Sequence, residues 1–458
     1  MSVTRQWITD AWTVGILILS TDAFLTLFVG SNIPEAARNG SPATRLLWSL
    51  IYLIATLRVI EHRYVICPLL RRNLALVCLV ILTLASACWS IDYIATLHAS
   101  IALLLATFVG IDFGLRYTLE KQIRLVAIAL GIVLLISILM QLALPHLLPG
   151  RESEGLAWHG IFDTKNEFGR VVILGTAAFL CSQIRSRIGR LLILIAGFAL
   201  VILARSAGAL VYLTIVSSVP ALTRILQWKP RTRYIGVAAT ATSVAVIIWC
   251  GLANVTVITH SMGRDPTLTG RVELWQMSLS SIREKPLFGY GYEAFWTERS
   301  PNASLIREAV NWDTPHSHDG YIDLMLGIGA IGLGLFVLSY WSALRRAWRV
   351  ACAIPAPPGA WPGTFLVLIL VYQITEGSVV TGNWILWILY VSISFALSSV
   401  EVNAATRAPI YFEDVYFPSR HRVLVSPALP ALSSRYAMEL PTHRSASGRY
   451  HDNSHCNT

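Results

Sequence analysis

The chain has 458 residues, of which 55% are hydrophobic and 14% charged, with a formal net charge of +10 and a mean hydropathy of +0.58. A soluble domain carries about 25% charged residues, so this chain lacks the charge to coat a soluble surface. That excludes a soluble enzyme, a nucleic-acid-binding domain and a disordered tail protein. It leaves an all-α polytopic membrane protein.

A membrane span takes about 20 mainly apolar residues. Segments 12–30, 43–60, 73–90, 97–114, 123–145, 167–184, 188–204, 206–223, 234–256, 321–343, 362–379 and 383–400 qualify, which predicts twelve spans. The first contains Asp22, ends in SNIPEA and is followed by many others, so it reads as a span and not as a cleavable signal. Segments 188–204 and 206–223 are separated only by Arg205, as a tight hairpin or a broken helix pair. The seven cysteines are scattered, mostly in apolar runs, and form no CxxC; they read as small core hydrophobes and not as disulfides or a zinc cage.

Positive charge sets the orientation. The loops after spans 2, 4, 6, 8 and 10 hold Arg58, Arg63, Arg71 and Arg72; Arg116, Lys121 and Arg124; Arg185, Arg187 and Arg190; Arg224, Lys229, Arg231 and Arg233; and Arg345, Arg346 and Arg349. The short loops after spans 3, 7 and 11 hold Arg205 alone. Even-numbered loops are therefore expected in the cytoplasm, with both termini inside. This asymmetry accounts for the basic charge without a nucleic-acid partner.

Two outer connections are longer, residues 146–166 and 257–320. The second is not low-complexity: it carries charges of both signs and seven aromatic residues, Trp275 and Trp312 among them. Val272, Trp275, Leu279 and Ile282 recur there at helical spacing. It reads as a small, partly helical cap on the outer face. Long loops in compact proteins are usually functional or disordered, which puts function on this side. Residues 1–400 form the membrane domain. Residues 401–458 are polar, rich in Ser, Pro, Arg and His, and read as a disordered cytoplasmic tail.

The sharpest local feature is Thr314-Pro-His316-Ser-His318-Asp319-Gly-Tyr321, where the outer loop enters span 10. A histidine titrates near neutrality and can take a proton from a hydroxyl. Three readings of these residues stand side by side. They form a polar helix start capped by Ser317 and Asp319, a base or substrate contact, or a zinc site of His316 and His318 with Asp313 or Asp319. Arginines placed away from the cytoplasmic loops are the second feature. Arg205 and Arg271, with Arg151, Lys165 and Arg170 around the 146–170 loop, offer donors that suit phosphate oxygens. The bland alternatives are snorkelling for Arg205, a surface ion pair with Glu273 for Arg271, and a simple turn for Lys165. Gly327-Ile-Gly329-Ala-Ile-Gly332 matches GxGxxG but lies inside an apolar span with no strand before it. Its glycines are expected to permit close helix packing, and Gly289-Tyr-Gly291 is expected to be a turn. Asp22, Asp112 and Glu376 remain proton sites for a transporter, with Asp22 furthest inside a span and the other two near span ends.

Taken in order, four elements resemble the bacterial O-antigen ligase and polymerase superfamily, and within it the exopolysaccharide polymerase type. They are Trp89-Ser-Ile-Asp92, then Gly160-Ile-Phe-Asp-Thr-Lys165-Asn166-Glu-Phe-Gly169, then Leu268-Thr-Gly-Arg271-Val-Glu-Leu-Trp275 with Pro286-Leu-Phe-Gly-Tyr-Gly, and His316-Ser-His318-Asp-Gly-Tyr321. Asp319 stands where the family has Asn, and the family's Ser-Arg element reads here as Ala204-Arg205-Ser206. The resemblance implies a GT-C-like, metal-independent inverting glycosyltransferase in the bacterial inner membrane, with its site facing the periplasm and no cofactor. Its donor would be an undecaprenyl-pyrophosphate-linked glycan, its acceptor a glycan hydroxyl, and a chain-length regulator would be a further partner. His318 would be the general base, with Arg205, Arg271, Lys165 and His316 contacting pyrophosphate or substrate. A ligase moving finished polymer, a glycolipid transporter and a non-catalytic export scaffold are the competing expectations.

Overall fold

The computed structural model describes residues 3–23, 42–148, 156–182, 184, 186–225, 228, 232–242, 271–353, 358–374 and 376–406. The chain divides into two units, Met1–Ser419 and Arg420–Thr458, and every described residue belongs to the first. The described residues are helical, with no strand among them. In chain order the helices are α1 (Val3–Leu19), α2 (Pro42–Glu61), α3 (Arg63–Arg72), α4 (Leu74–Ala85), α5 (Tyr93–Arg116), α6 (Leu119–Ala143), α7 (Lys165–Cys181), α8 (Arg187–Leu203) and α9 (Ala207–Ile225). Then follow α10 (232–242), α11 (Arg271–Glu284), α12 (Pro301–Val310), α13 (Gly320–Ala353), α14 (Trp361–Tyr372) and α15 (Ile385–Thr406).

Four of these, α5, α6, α9 and α13, are long and apolar enough to cross a membrane, and α3 with α4 and the short turn after it makes a fifth candidate bent by 95°. The apolar faces agree with a lipid solvent. Leu46, Leu50, Leu53 and Leu57, spaced along one stripe of α2, are 48–76% exposed, and Leu135, Leu139 and Leu142 of α6 are 55–64% exposed. In water such a stripe would turn inward. A described helix, whole or in part, falls on each of the twelve apolar segments.

Polar caps start the helices where the sequence places them. Asp92 accepts from the Ala95 N–H at the start of α5, and Thr118 from Lys121 at the start of α6. Thr164 accepts from the Glu167 N–H, and the Thr-x-x-Glu spacing is that of a capping box. Ser300 caps α12, Pro301 occupies its first turn, and Asn311 ends it in the left-handed conformation, as expected of these residue types. The bend between α3 and α4 falls at Asn73, whose side-chain amide donates to the Leu69 carbonyl and to Ser398 Oγ.

Three findings bear on the expectations. The first helix ends at Leu19, and Asp22 lies in the turn beyond it at φ 60°. The Ser20 and Thr21 hydroxyls bond back to the carbonyls of Ile16 and Ile18 there, so Asp22 lies just beyond the end of α1; residues 24–30 lie outside the described residues. The Gly327–Gly332 glycines do not serve helix-on-helix packing. At Ile328 and Gly329 the backbone leaves the helical region, and residues 286–291 run alongside the break. The Tyr290, Gly291, Ala330 and Ile331 N–H groups donate to the carbonyls of Leu326, Gly327, Pro286 and Leu287. A Cβ on Gly329 would collide with the Leu287 carbonyl oxygen. Lastly, α15 continues to Thr406, into the segment read as tail, the rest of which lies outside the described residues.

The described part of the outer loop has its own small core. Leu274 and Ile282 of α11 pack with Tyr290, Phe295, Ala303, Ile306 and, from α13, Leu326. The buried face of α11 is rotated from the expected one: Val272 and Leu279 are 46% and 47% exposed, whereas Leu274 is 0% exposed.

Candidate functional site

The turns expected on the outer side gather at one end of the helices. The α1 turn meets α15 through the Ile385 N–H and the Ser20 carbonyl. The Trp89–Asp92 turn meets the cap: Trp89 Nε1 donates to the Phe288 carbonyl at 3.0 Å, the Ile91 N–H to the Tyr290 carbonyl, and Arg299 lies 3.8 Å from Asp92. Gly289 and Gly291 hold φ of 66° and 105°, so the expected turn is present. Tyr292 closes this corner by donating from its hydroxyl to the Val380 carbonyl.

The His316–Asp319 turn is fixed from four directions. Trp275 Nε1, one turn into α11, donates to the Ser317 carbonyl at 2.9 Å. Asp323 Oδ1 accepts from the Ser317 N–H and from Trp296 Nε1, both at 2.9 Å. Arg307 donates to the Thr314 and Trp296 carbonyls and pairs with Asp313 at 3.2 Å. The Gly320 N–H donates to the Gln373 carbonyl at 2.7 Å. The capping reading holds for two residues: Asp319 Oδ1 accepts from the Tyr321 and Ile322 N–H groups, and Ser317 Oγ accepts from the Asp319 N–H. Burial raises the Asp319 carboxyl above the usual carboxylate range, against the opposing pull of those two N–H groups.

The histidines are left for something else. His316 Nδ1 accepts from the His318 N–H at 3.1 Å, so a neutral His316 carries its proton on Nε2 and presents a donor. Its ring faces Gly377. His318 has φ 55°, a conformation uncommon for a side-chain-bearing residue and concentrated at functional positions. Its two ring nitrogens are buried with no hydrogen-bond partner among the described residues. Burial first, then the neighbouring His316 and Arg271, push the imidazole down to about 2. It is neutral and has a lone pair to offer. Arg271 opens α11 close enough to act on it electrostatically. Among the described residues no group of three or more His, Cys, Asp or Glu is gathered to hold a metal ion.

The second group of candidates sits across the 373–384 loop. Lys165 is the first residue of α7, half-buried. Its neighbour Asn166 accepts from Ser206 Oγ at 3.4 Å, which brings the Lys165-Asn166 element to the α8–α9 turn. Arg205 in that turn is exposed and holds φ 51°. α8 and α9 pack on each other and on α7, as a tight hairpin. Arg170, one turn below Asn166, is among the cations whose donors suit phosphate, but the resemblance gives it no role. It is buried, donates to the Tyr372 hydroxyl at 3.0 Å and stacks 4.5 Å over Trp384. The signal for it was present, because an arginine inside an apolar helix is costly and by default suggests function. Arg151 lies outside the described residues. Contacts therefore run from Ser206 to Asn166, and, one turn along α7, from Arg170 to Tyr372, whose neighbour Gln373 accepts from Gly320 at the end of the His316–Asp319 turn.

A chain of apolar helices with a lipid-compatible exterior, gathering strained turns, half-buried histidines and a buried arginine at one end, is an integral membrane protein with a polar site at a helix-bundle end. Residues 191–337 match the O-antigen ligase family, a stretch that contains Arg205, Arg271, His316 and His318. Over 203 residues the chain is 26% identical to the exopolysaccharide production protein ExoQ of Rhizobium meliloti (strain 1021), covering 41% of this chain and 47% of that relative. The chain thus spans under half the length of that curated relative. Both similarities bear out the resemblance to the O-antigen ligase and exopolysaccharide polymerase superfamily.

Proposed function

We propose that the protein polymerises lipid-linked oligosaccharide repeat units at the outer face of the bacterial inner membrane. On this reading all twelve apolar segments span, both termini lie in the cytoplasm and the cap faces the periplasm. The donor is a glycan on undecaprenyl pyrophosphate, and the acceptor is a hydroxyl of another glycan. The observation that carries the reading is the His318 imidazole, whose two ring nitrogens are buried with no hydrogen-bond partner among the described residues, within electrostatic reach of Arg271.

The chemistry follows from those groups. The acceptor oxygen bonds to the anomeric carbon from the face opposite the leaving group, inverting it. The bond to pyrophosphate breaks, and its electron pair stays on the pyrophosphate oxygen. His318 takes the hydroxyl proton, a step general bases accelerate about 10²–10⁴-fold. Negative charge grows on the leaving pyrophosphate, and fixed cations stabilise such charge most where water is excluded. Arg271, Arg205 and Lys165 fill that role, and His316 offers its Nε2 proton to substrate.

Deleting the gene in its host, restoring wild type, His318→Ala or Arg271→Ala, and profiling lipid-linked glycans by mass spectrometry tests this. Single repeat units on undecaprenyl pyrophosphate should accumulate in the variants at normal protein levels. Accumulation of long lipid-linked polymer would make the protein a ligase. A wild-type profile in His318→Ala together with failure of Asp22→Ala would favour a transporter, a reading weakened by the place of Asp22 in a helix-end turn.

A further inference from the structure

A general base must come within about 2.6–3.2 Å of the hydroxyl it deprotonates, directly or through one water. His318 is closed to such an approach: its ring nitrogens are both buried. Two other rings pack on it. The Trp312 indole stacks on it at 4.8 Å between centroids with 16° between planes, and His316 sits at 4.1 Å. These neighbours differ in freedom. His316 is tied by its bond from the His318 N–H and by its seat against Gly377. Trp312 is 36% exposed and follows the left-handed Asn311 in the non-helical stretch before Gly320. The other two tryptophans of the cap contrast with it, since Trp275 and Trp296 are anchored through their indole N–H groups.

We propose that Trp312 is an acceptor-displaced cover over His318: its indole packs on the face of the imidazole and holds the ring with both nitrogens turned inward, until the terminal sugar ring of the acceptor glycan moves the indole aside, stacks on it and frees the imidazole to turn a nitrogen toward the acceptor hydroxyl. This rests on the reading of His318 as the base. A pyranose ring has an apolar C–H face that packs on an aromatic surface, whereas water offers none, so the indole can tell the two nucleophiles apart. The distinction matters for the donor. If His318 took a proton from water, the water oxygen would bond to the anomeric carbon and the bond to pyrophosphate would break, its electron pair staying with the pyrophosphate. The repeat unit would then leave as a free reducing sugar. A base uncovered only by acceptor suppresses that loss, as closure does in other transferases. Trp312 is in this account a positioning residue.

Diethyl pyrocarbonate acylates accessible neutral imidazole, and peptide mass spectrometry reads its reaction at His318 in the full-length protein in nanodiscs. His318 should react slowly in wild type, several-fold faster in Trp312→Ala, and at the wild-type rate in Trp312→Phe, which keeps the stack. Equal rates in wild type and Trp312→Ala overturn the proposal. With lipid-linked repeat units extracted from the host, Trp312→Ala should raise the ratio of free to joined glycan and Trp312→Phe should restore it. A proportional loss of both products overturns it as well. The two readings fail separately. Polymer made normally by His318→Ala, with Trp312→Ala still speeding acylation, removes the base and leaves the cover. An inactive His318→Ala with freely acylated wild-type His318 does the reverse.

Discussion

Arg346 and His318 lie toward opposite ends of α13, and their polar atoms are treated in opposite ways. Arg346 Nε donates to Glu401 at 3.2 Å, one terminal nitrogen to Asn73 Oδ1 at 2.9 Å and the other to the Arg72 carbonyl at 2.5 Å. Arg349 adds a second cation to Glu401 at 2.8 Å. All three guanidinium nitrogens are used, and the ends of α3, α13 and α15 are locked together. His318 has no partner for either ring nitrogen among the described residues and holds a left-handed backbone. A buried polar group left unpaired costs about 1–3 kcal/mol. Among the described residues Arg346 has all three guanidinium nitrogens satisfied and His318 has both ring nitrogens open, a contrast that the proposed catalytic role of His318 accounts for.

Substitutions can break this contrast. The largest effect is expected of Arg271→Ala: turnover should fall about 10²–10³-fold, the range for removing one fixed electrostatic stabiliser, with Arg271→Lys recovering part of it. Initial rates on extracted lipid-linked repeat units measure this. At the other end Glu401→Ala leaves the buried Arg346 charge without its carboxylate, at a cost of about 3 kcal/mol. That should lower the thermal midpoint while leaving turnover per folded molecule unchanged.

Smaller effects sharpen the account within α13 and the cap. Gly329 at φ 65° faces the Leu287 carbonyl, whereas Gly334 in the same helix has open space around it. Gly329→Ala should destabilise by more than about 1 kcal/mol, because alanine fits neither the backbone nor the gap. Gly334→Ala should be neutral or stabilise by up to about 1 kcal/mol through helix propensity. Thermal midpoints of the two variants separate them. The last effect is on pH. His318 is held down to about 2 in the folded chain by burial, then by His316 and Arg271, and an unfolded histidine titrates near about 6.5. The unfolded chain binds the proton more readily, so this contribution is complete above about pH 6.5 and is lost progressively as pH falls toward 2. His318→Asn should flatten the decline in midpoint between about pH 7 and pH 5.

Much of this architecture is legible in residue periodicity and caps. Asp92, Thr118, Thr164 and Ser186 begin helices as their types require, and the Arg205 turn falls where the apolar runs are interrupted. What could not be read depends on contacts between distant parts of the chain. Nothing local says that residues 286–291 run beside a break in α13, because the glycines there look the same whether a helix or a loop approaches. The Trp275 and Ile282 spacing gave the helix but not its inward face, which the cap core sets. The candidate site shows the same division. His316, His318, Arg271, Arg205 and Lys165 stand out by type and place. The Trp312 stack, the left-handed His318 and the partners of Arg170 arise only from tertiary packing.

The most direct test is a paired measurement on purified His318→Ala in nanodiscs, its thermal midpoint beside its turnover of extracted lipid-linked repeat units. A group kept unpaired for chemistry contributes little to stability, so the midpoint should hold or rise while turnover falls by about 10²-fold or more. A lowered midpoint with unchanged turnover per folded molecule would make His318 a structural residue and contradict the assignment of this end of the molecule to catalysis.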